Sequence, residues 1–167
     1  CRGARARGGG YLMAYGIQDS DIHRFVHEAK KVYKFFTVRP KFIGEYIAHS
    51  NPNKVLFGDG WYFDDDNSHN FIIMGQIAYP LDPSELTGCG DEKASKFLYN
   101  SSGLNIFVNI GEVDITPSRE SLSYSKETKS NVIKIANKIM KEITEKIQEE
   151  IKNQPTLFKA RNKYVHI

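Results

Sequence analysis

The amino-acid sequence predicts an α/β chain of the α+β kind, in which a mostly antiparallel sheet is packed by two amphipathic helices, the C-terminal one long. Two segments repeat apolar residues at helical spacing, one near the start of the chain and one in its last third. Between them lie short runs of β-branched and aromatic residues separated by turn residues. At 167 residues the chain is long enough to form one hydrophobic core without disulfides or a structural metal.

The first third of the chain predicts a flexible arm followed by a strand and a helix. Residues 1–10 alternate arginine with glycine and alanine, so we expect a disordered basic arm there. Residues 11–17 suit a strand, and Asp19 or Ser20 then offers a helix cap. The apolar residues that follow at three-then-four spacing are Ile22, Phe25, Val26, Ala29, Val32, Tyr33 and Phe36. They predict an amphipathic helix that ends before Pro40.

The middle of the chain predicts strands. The runs that suit strands are 42–47, 55–57, 61–63, 71–79 and 104–110. Asn51-Pro52-Asn53 and Gly58-Asp59-Gly60 supply turn chemistry between them, so an antiparallel meander is the simplest arrangement. Residues 80–90 read as a loop with one helical turn, and residues 92–99 as a short helix.

The last third carries the strongest helix signal. One apolar stripe consists of Val132, Ile135, Ala136, Ile139, Met140, Ile143, Ile147 and Ile151. It predicts a helix of about 25 residues that starts near Ser125 and is about 38 Å long. The stripe suits a homodimer as well as a core. Because Pro155 cannot continue a helix, we expect residues 11–153 to form a single domain and residues 154–167 a separate tail.

Charge is distributed unevenly along the chain. The net charge is only +3, yet residues 44–92 carry −8 and the remainder therefore carries +11. The acidic residues of this block are Glu45, Asp59, Asp64, Asp65, Asp66, Asp82, Glu85, Asp91 and Glu92. A segment of one sign of charge indicates a surface for a partner of the opposite sign, or a solvated face.

The sequence lacks a complete catalytic, metal or nucleotide-binding constellation, so we expect neither an enzyme nor a cofactor. His23 and His27 are one helical turn apart but lack the glutamate of a zinc-protease helix. The adjacent carboxylates of residues 64–66 alternate faces on a strand and favour a hairpin tip over a metal site. Glu112 and Asp114 are a weak signal for acid–base chemistry.

Cysteine usage and hydropathy predict a cytoplasmic location. Cys1 and Cys89 lie in dissimilar contexts, which favours two reduced thiols over a disulfide or a thiolate metal site. No apolar run is long enough to span a bilayer, and the first residues lack the apolar core of a signal peptide.

One segment carries a family resemblance. Residues 109–124 read Asn-Ile-Gly-Glu-Val-Asp-Ile-Thr-Pro-Ser-Arg-Glu-Ser-Leu-Ser-Tyr and lead directly into the long helix. This segment resembles the phage rIIA-type lysis-regulation proteins. The helix from Ile22 to Phe36, with Val38-Arg39-Pro40-Lys41 after it, is similar to the region that follows their ATPase head of the gyrase and chaperone type. The resemblance implies a transducer-like half without the ATP-binding motifs of a head, and it assigns Arg119 and Glu120 no role.

The tail predicts a protein partner. Gln154, Leu157 and Phe158 fit the pattern Gln-x-x-Leu-Phe, which resembles the peptides by which bacterial replication proteins dock on the β sliding clamp. In such a peptide the two apolar side chains fill a pocket and the glutamine amide hydrogen-bonds at its rim. The alternative is that Leu157 and Phe158 pack the tail against the core of the protein itself.

Together these features resemble a phage-encoded inhibitor of the bacterial sliding clamp. Such a protein would work in the cytoplasm of the host bacterium and block the DNA channel of the clamp, inhibiting replication. The acidic block would then mimic DNA, with Asp59, Asp64, Asp65, Asp66, Asp82, Glu85, Asp91 and Glu92 as its binding residues. We expect no membrane, small-molecule or direct nucleic-acid partner.

Two other functions remain open from the residues. The first is a transducer-like fragment of an rIIA-type protein whose partner is an ATPase half. The second is a nucleic-acid-binding module, because Lys159, Arg161 and Lys163 stand beside Tyr164 and cations near an aromatic suit a phosphate backbone.

Overall fold

The chain divides into two compact units, residues 1–50 and 51–167. The computed structural model describes residues 4–5, 11–12, 19–36, 38 and 52–153. In the first unit, strand β1 (Ala4–Arg5) pairs antiparallel with β2 (Tyr11–Leu12), so a short strand forms inside the arm expected to be disordered. The predicted strand over residues 42–47 lies outside the described residues.

The predicted first helix is present as α1 (Asp19–Tyr33), and Asp19 and Ser20, which were expected to cap it, are its first two residues. Its apolar stripe is unevenly covered. Ala29 is buried, whereas Phe25 and Val32 are 62% and 57% exposed. Lys30 and Lys31 lie in its last turn, where positive charge interacts favourably with the helix dipole.

The second unit is an α+β fold, as the sequence predicts. Its strands are β3 (Lys54–Gly58), β4 (Trp61–Asp64), β5 (Phe71–Met74), β6 (Ile77–Pro80), β7 (Leu104–Val108), β8 (Asp114–Ile115) and β9 (Leu122–Ser123). Its helices are α2 (Glu92–Asn100) and the long α3 (Lys126–Lys152), with a 3₁₀ turn at Pro83–Leu86. Strands β8 and β9 form a separate hairpin, and the other five form one sheet in the order β3-β4-β7-β5-β6.

Two details of the predicted sheet are corrected. Residues 71–79 form not one strand but the hairpin β5–β6, because Gly75 adopts a positive φ of 66° and makes a two-residue turn with Gln76. The sheet is also not a simple meander. Strand β7 inserts between β4 and β5, antiparallel to β4 and parallel to β5. A parallel pair needs a crossover connection, and α2 provides it.

Two amphipathic helices pack against this sheet within the second unit. They are α2 and α3, while α1 belongs to the first unit. The core combines one face of the sheet with both helices, and its fully buried members include Ile72, Leu104, Leu98, Val132 and Ile139. The N-terminal half of the α3 stripe is therefore core.

The opposite face of the sheet is also buried at its centre. Tyr62, Ile73 and Asn105 lie there, each no more than 3% exposed. Burial, followed by the negative charge of Asp64, raises the pKa of Tyr62 to about 12. Burial thus favours the neutral phenol over the phenolate, as expected for a tyrosine in the interior.

One buried side chain joins the elements around the parallel pair. The Asn70 amide donates to the carbonyl oxygens of Leu98 (3.1 Å) and Ser101 (2.9 Å) at the end of α2. Its own carbonyl oxygen accepts from the Leu104 N–H at 3.0 Å, where β7 begins. The Asn70 backbone oxygen accepts from the Leu81 N–H just after β6. Asn70 thus fixes the helix end to the start of two parallel strands.

Replacing Asn70 with alanine should lower the free energy of unfolding by about 3 kcal/mol, since it removes three hydrogen bonds and leaves buried backbone groups unpaired. Urea unfolding followed by circular dichroism measures the change. Asn100→Ala, at the exposed end of α2, is the matched control and should shift the midpoint little. Equal shifts for the two variants would show that the Asn70 contacts do not stabilise the fold.

Candidate functional site

The segment that resembles the rIIA-type proteins forms a hairpin with an exposed loop. Strands β8 and β9 pair Asp114 with Ser123 and Ile115 with Leu122. The connection is residues 116–121, named here the TPSRES loop after its sequence. Residues 117–121 are all exposed. Val113 and Leu122 anchor the base of the hairpin, each 4% exposed in the core.

Hydrogen bonds within the TPSRES loop hold its shape. The Thr116 N–H donates to the backbone carbonyl oxygen of Ser121 at 2.9 Å, and the Arg119 N–H donates to the backbone carbonyl oxygen of Thr116 at 2.8 Å. The Thr116 hydroxyl lies 3.0 Å from the Ser118 hydroxyl and 3.3 Å from that of Ser121. A loop closed by its own bonds presents the same surface before and after it meets a partner, which lowers the entropic cost of binding.

Arg119 occupies a strained position at the tip of this loop. Its φ is 61°, and among the described residues it is the one non-glycine residue with a positive φ. Such a conformation costs an L-residue about 1–2 kcal/mol. Within the part of the chain that the structure describes, the exposed guanidinium of Arg119 makes no ion pair. Backbone strain of this kind is concentrated at functional sites.

A hydrogen-bonded junction connects the hairpin to the first turn of α3. The Ser125 hydroxyl caps α3 by accepting from the Thr128 N–H at 3.1 Å, and it donates to the Asp114 carboxylate at 2.6 Å. The Thr128 hydroxyl, on a residue that is 1% exposed, accepts from the Asp114 N–H at 2.8 Å. These residues, Asp114, Ser125 and Thr128, are called the cap junction below. Its hydrogen bonds connect the hairpin directly to the start of α3.

Three residues of the acidic block accept hydrogen bonds from backbone amides. Asp64 is 2% exposed and accepts from the N–H groups of Asn53 and Asp66, each at 3.2 Å. Asp82 caps the 3₁₀ turn, and hydrogen bonds from Ser84 lower its pKa. Asp91 caps α2, and its pKa is lowered first by the hydrogen bond from the Asn137 side chain and then by two backbone N–H groups.

Three more acidic residues form ion pairs with lysines. Their pairs are Asp59–Lys138 at 2.9 Å, Glu85–Lys129 at 3.6 Å and Glu92–Lys96 at 2.8 Å. The predicted DNA-mimicking residues are thus not brought together as one uncompensated patch. Asp65 and Asp66 differ from these six: they are exposed, and among the described residues their carboxylates make neither an ion pair nor a hydrogen bond.

The other predicted site residues are dispersed or lie outside the described residues. The residues outside the described part of the chain are Gln154, Leu157 and Phe158, the basic cluster that follows them, and Glu45. His23 and His27 are both exposed on α1. Glu112 accepts from Asn109, while Asp114 serves the cap junction, so the two carboxylates do not act as a pair.

Two structural findings bear on other classes of site. Within the residues described here, no group of three histidine, cysteine or carboxylate side chains is placed to hold a metal ion. Over the same residues, no helix combines the length and the apolar character needed to cross a membrane. Cys89 is a free thiol in the loop before α2.

The sequence marked the TPSRES loop by resemblance, but it did not reveal the hydrogen bonds of the cap junction that attach the hairpin to α3. Ser125 was recognised only as the approximate start of α3. A Ser-x-x-Thr pattern shortly after the second strand of a hairpin, with an aspartate on the first strand, was the available signal for the cap junction. The positive φ of Arg119 had no sequence signal, because arginine is not a residue that favours this conformation.

Comparison with known proteins adds no relative. No protein-family model, no curated protein and no solved structure matches the chain. Its function therefore has to be inferred from its own residues.

Replacing Arg119 with glycine should stabilise the protein by about 1 kcal/mol, because glycine adopts a positive φ without steric cost. Thermal unfolding measures the change as a rise in Tm. Arg119→Ala is the control: it removes the same side chain but keeps the strain, so it should give no such rise. A glycine variant no more stable than the alanine variant would mean that the loop is unstrained.

Proposed function

We propose that this chain is the transducer-like half of an rIIA-type, ATPase-family protein, and that it docks through the TPSRES loop on an ATPase head. The observation that carries the proposal is the strained, exposed Arg119 at the tip of a loop held by its own hydrogen bonds. The resemblance of residues 109–124 to the rIIA-type proteins supports the choice of partner.

The chemistry of the loop suits recognition of another protein. Arg119 and Glu120 stand side by side and exposed, so the loop offers a cation with five N–H donors next to a carboxylate. Arginine is favoured at interfaces because its planar fork can bind a carboxylate with two hydrogen bonds. Since the loop is already ordered, little conformational entropy is lost when it docks.

The cap junction supports a transducing role rather than docking alone. A displacement of the hairpin has to move Asp114, which is bonded to Ser125 and Thr128 at the start of α3. Asn131 lies one turn after Thr128 in α3, and its side-chain amide donates to the backbone carbonyl oxygen of Glu112 at 2.9 Å. Helix α3 has 27 residues and is therefore about 40 Å long. A small movement at the loop thus becomes a larger one at the far end of the helix.

The docking prediction is that this chain co-elutes with the ATPase head of an rIIA-type protein and changes its rate of ATP turnover. Arg119→Gly should weaken the complex about tenfold or more, as expected for the loss of a charged hydrogen-bonding group. Calorimetry measures the affinity, and a coupled assay measures the turnover. Lys141→Ala, an exposed cation on α3, is the matched control and should change neither.

Two outcomes would contradict this proposal. One is the absence of any complex with the head, and the other is an Arg119→Gly variant that binds as well as the parent chain. Ser125→Ala tests transduction separately from docking: it should keep the affinity and reduce the change in turnover, because it removes one of the two bonds from the start of α3 to Asp114.

We also propose a second function, inhibition of the bacterial β sliding clamp. Asp65 and Asp66 favour it, because two adjacent exposed carboxylates without ion partners among the described residues can meet the basic lining of a DNA channel. The Gln-x-x-Leu-Phe pattern of Gln154, Leu157 and Phe158 supplies the candidate docking peptide. Lysines compensate the charges of Asp59, Glu85 and Glu92, whereas Asp65 and Asp66 keep theirs uncompensated among the described residues.

In the clamp proposal, Asp65→Asn with Asp66→Asn should slow binding to the clamp and relieve inhibition of clamp loading. The loss should shrink at high salt, where exposed charges are screened over a few ångströms. Surface plasmon resonance measures the association rate. Glu145→Gln with Glu149→Gln removes two exposed charges outside the block and should have no effect. A parent chain without measurable clamp affinity would rule out this function.

A further inference from the structure

An apolar groove lies between strands β3 and β4 and the C-terminal half of α3. Its volume is about 530 Å³. Pockets of this size bury a small ligand or the side chains of a bound peptide. The walls are Val55, Leu56 and Phe63 from the strands and Ile143 and Ile147 from the helix. Val55 is 65% exposed, so the groove is open to solvent.

Polar contacts hold the two walls of the groove in place. The Trp61 indole N–H, on a residue that is 2% exposed, donates to the Glu142 carboxylate of α3 at 2.7 Å. One turn further along α3, the Lys146 ammonium donates to the Phe57 backbone oxygen at 2.6 Å. Glu142 and Lys146 each directly precede a wall residue of the helix. The groove is therefore preformed, and a partner that enters it does not have to order its walls.

The helix wall of the groove is the less covered part of the apolar stripe of α3. Val132, Ala136 and Ile139 are each no more than 1% exposed, whereas Ile143 and Ile147 are only half-buried. An apolar side chain placed in the groove removes this remaining apolar surface from water, which contributes about 25 cal/mol per Å². The groove thus favours an apolar group of a partner.

Exposed negative charge borders the groove. The residues of its rim are Asp64, Asp65, Asn67 and Ser102. Asp66 directly follows Asp65, and within the described part of the chain the carboxylates of this pair make no ion pair. Lys54 does not compensate them, since its ammonium lies 4.7 Å from the centre of the Tyr62 ring on the opposite face of the sheet. Such carboxylates attract cations and repel phosphate groups.

The apolar walls and the acidic rim together define the chemistry of the partner. Nucleic acids and anionic lipid surfaces carry phosphates, which the rim carboxylates repel. A peptide segment with an apolar side chain beside a lysine or arginine matches both parts of the site. Its apolar side chain fills the groove, and its cation lies against the carboxylates, which an arginine can bind with two hydrogen bonds.

We propose that this groove is a docking site for a segment of another protein in which an apolar side chain stands beside a lysine or arginine. The apolar side chain packs between Phe63 on one wall and Ile143 and Ile147 on the other. The neighbouring cation pairs with Asp65 or Asp66. The site uses no residue of the TPSRES loop, so this inference does not depend on an ATPase head.

Trp61 provides the readout, because it is the one tryptophan of the chain and its ring centre lies 5.9 Å from that of the wall residue Phe63. The probes are two capped synthetic peptides, Gly-Leu-Phe-Lys-Arg-Gly and Gly-Leu-Phe-Glu-Glu-Gly. The basic peptide should change the fluorescence of Trp61 in the full chain saturably. The acidic peptide should bind about tenfold more weakly or worse, since it places carboxylates against Asp65 and Asp66. Calorimetry measures both affinities.

Two variants test the two parts of the site separately. Asp65→Asn with Asp66→Asn should weaken binding of the basic peptide about tenfold and reduce the difference between the two peptides. Ile147→Gln should weaken the basic peptide as well, because it places a polar group in the apolar wall. Glu145→Gln with Glu149→Gln removes two exposed charges of α3 outside the groove and is the matched control. Circular dichroism checks that each variant is folded.

Three results would overturn the proposal. The first is a parent chain that binds neither peptide. The second is an equal affinity for the two peptides, or an affinity for the basic peptide that the change at Asp65 and Asp66 leaves unaltered. The third is a dimer of the parent chain, detected by sedimentation, that Ile147→Gln dissociates, which would assign the groove to a second copy of this chain.

Discussion

The Asn70 side chain joins the crossover helix α2 to the parallel strand pair that sets the order of the sheet in the second unit. A parallel strand pair cannot be closed by a turn, so β5 and β7 need a helix to carry the chain from one end of the sheet to the other. Asn70 directly precedes β5, and its side-chain amide satisfies backbone groups at the end of α2 and at the start of β7. Because it is 6% exposed, water cannot replace these bonds without opening the core.

The cap junction plays the same organising role between the β8–β9 hairpin and α3. Its hydroxyls and its carboxylate bond to one another and to the backbone, so that a two-stranded hairpin too short to be stable alone becomes fixed to a long helix. That attachment makes strain at Arg119 tolerable, since the surrounding bonds determine the backbone conformation. The proposed docking and transducing roles both depend on it.

Tertiary contacts determine which charges of the acidic block are available to a partner. The acidic block is conspicuous in the sequence, but most of its carboxylates cap helices or pair with lysines of α2 and α3. Lysines pair with Asp59, Glu85 and Glu92, so part of the negative charge of the block is compensated. Asp65 and Asp66 are exposed and have no ion pair among the described residues.

The sequence by itself determined the α+β class, the extent of α3, the short helix α2 and the strand positions near residues 55, 61 and 104. These follow from local physics: apolar periodicity, capping residues and turn chemistry act between residues close in the chain. It also marked the TPSRES loop by resemblance. Only the tertiary structure decided the parallel pairing of β7 with β5, the bonds of Asn70 and the cap junction, and the φ of Arg119. Each of these depends on groups that local sequence patterns do not bring together, and their energies appear only when the whole fold is formed.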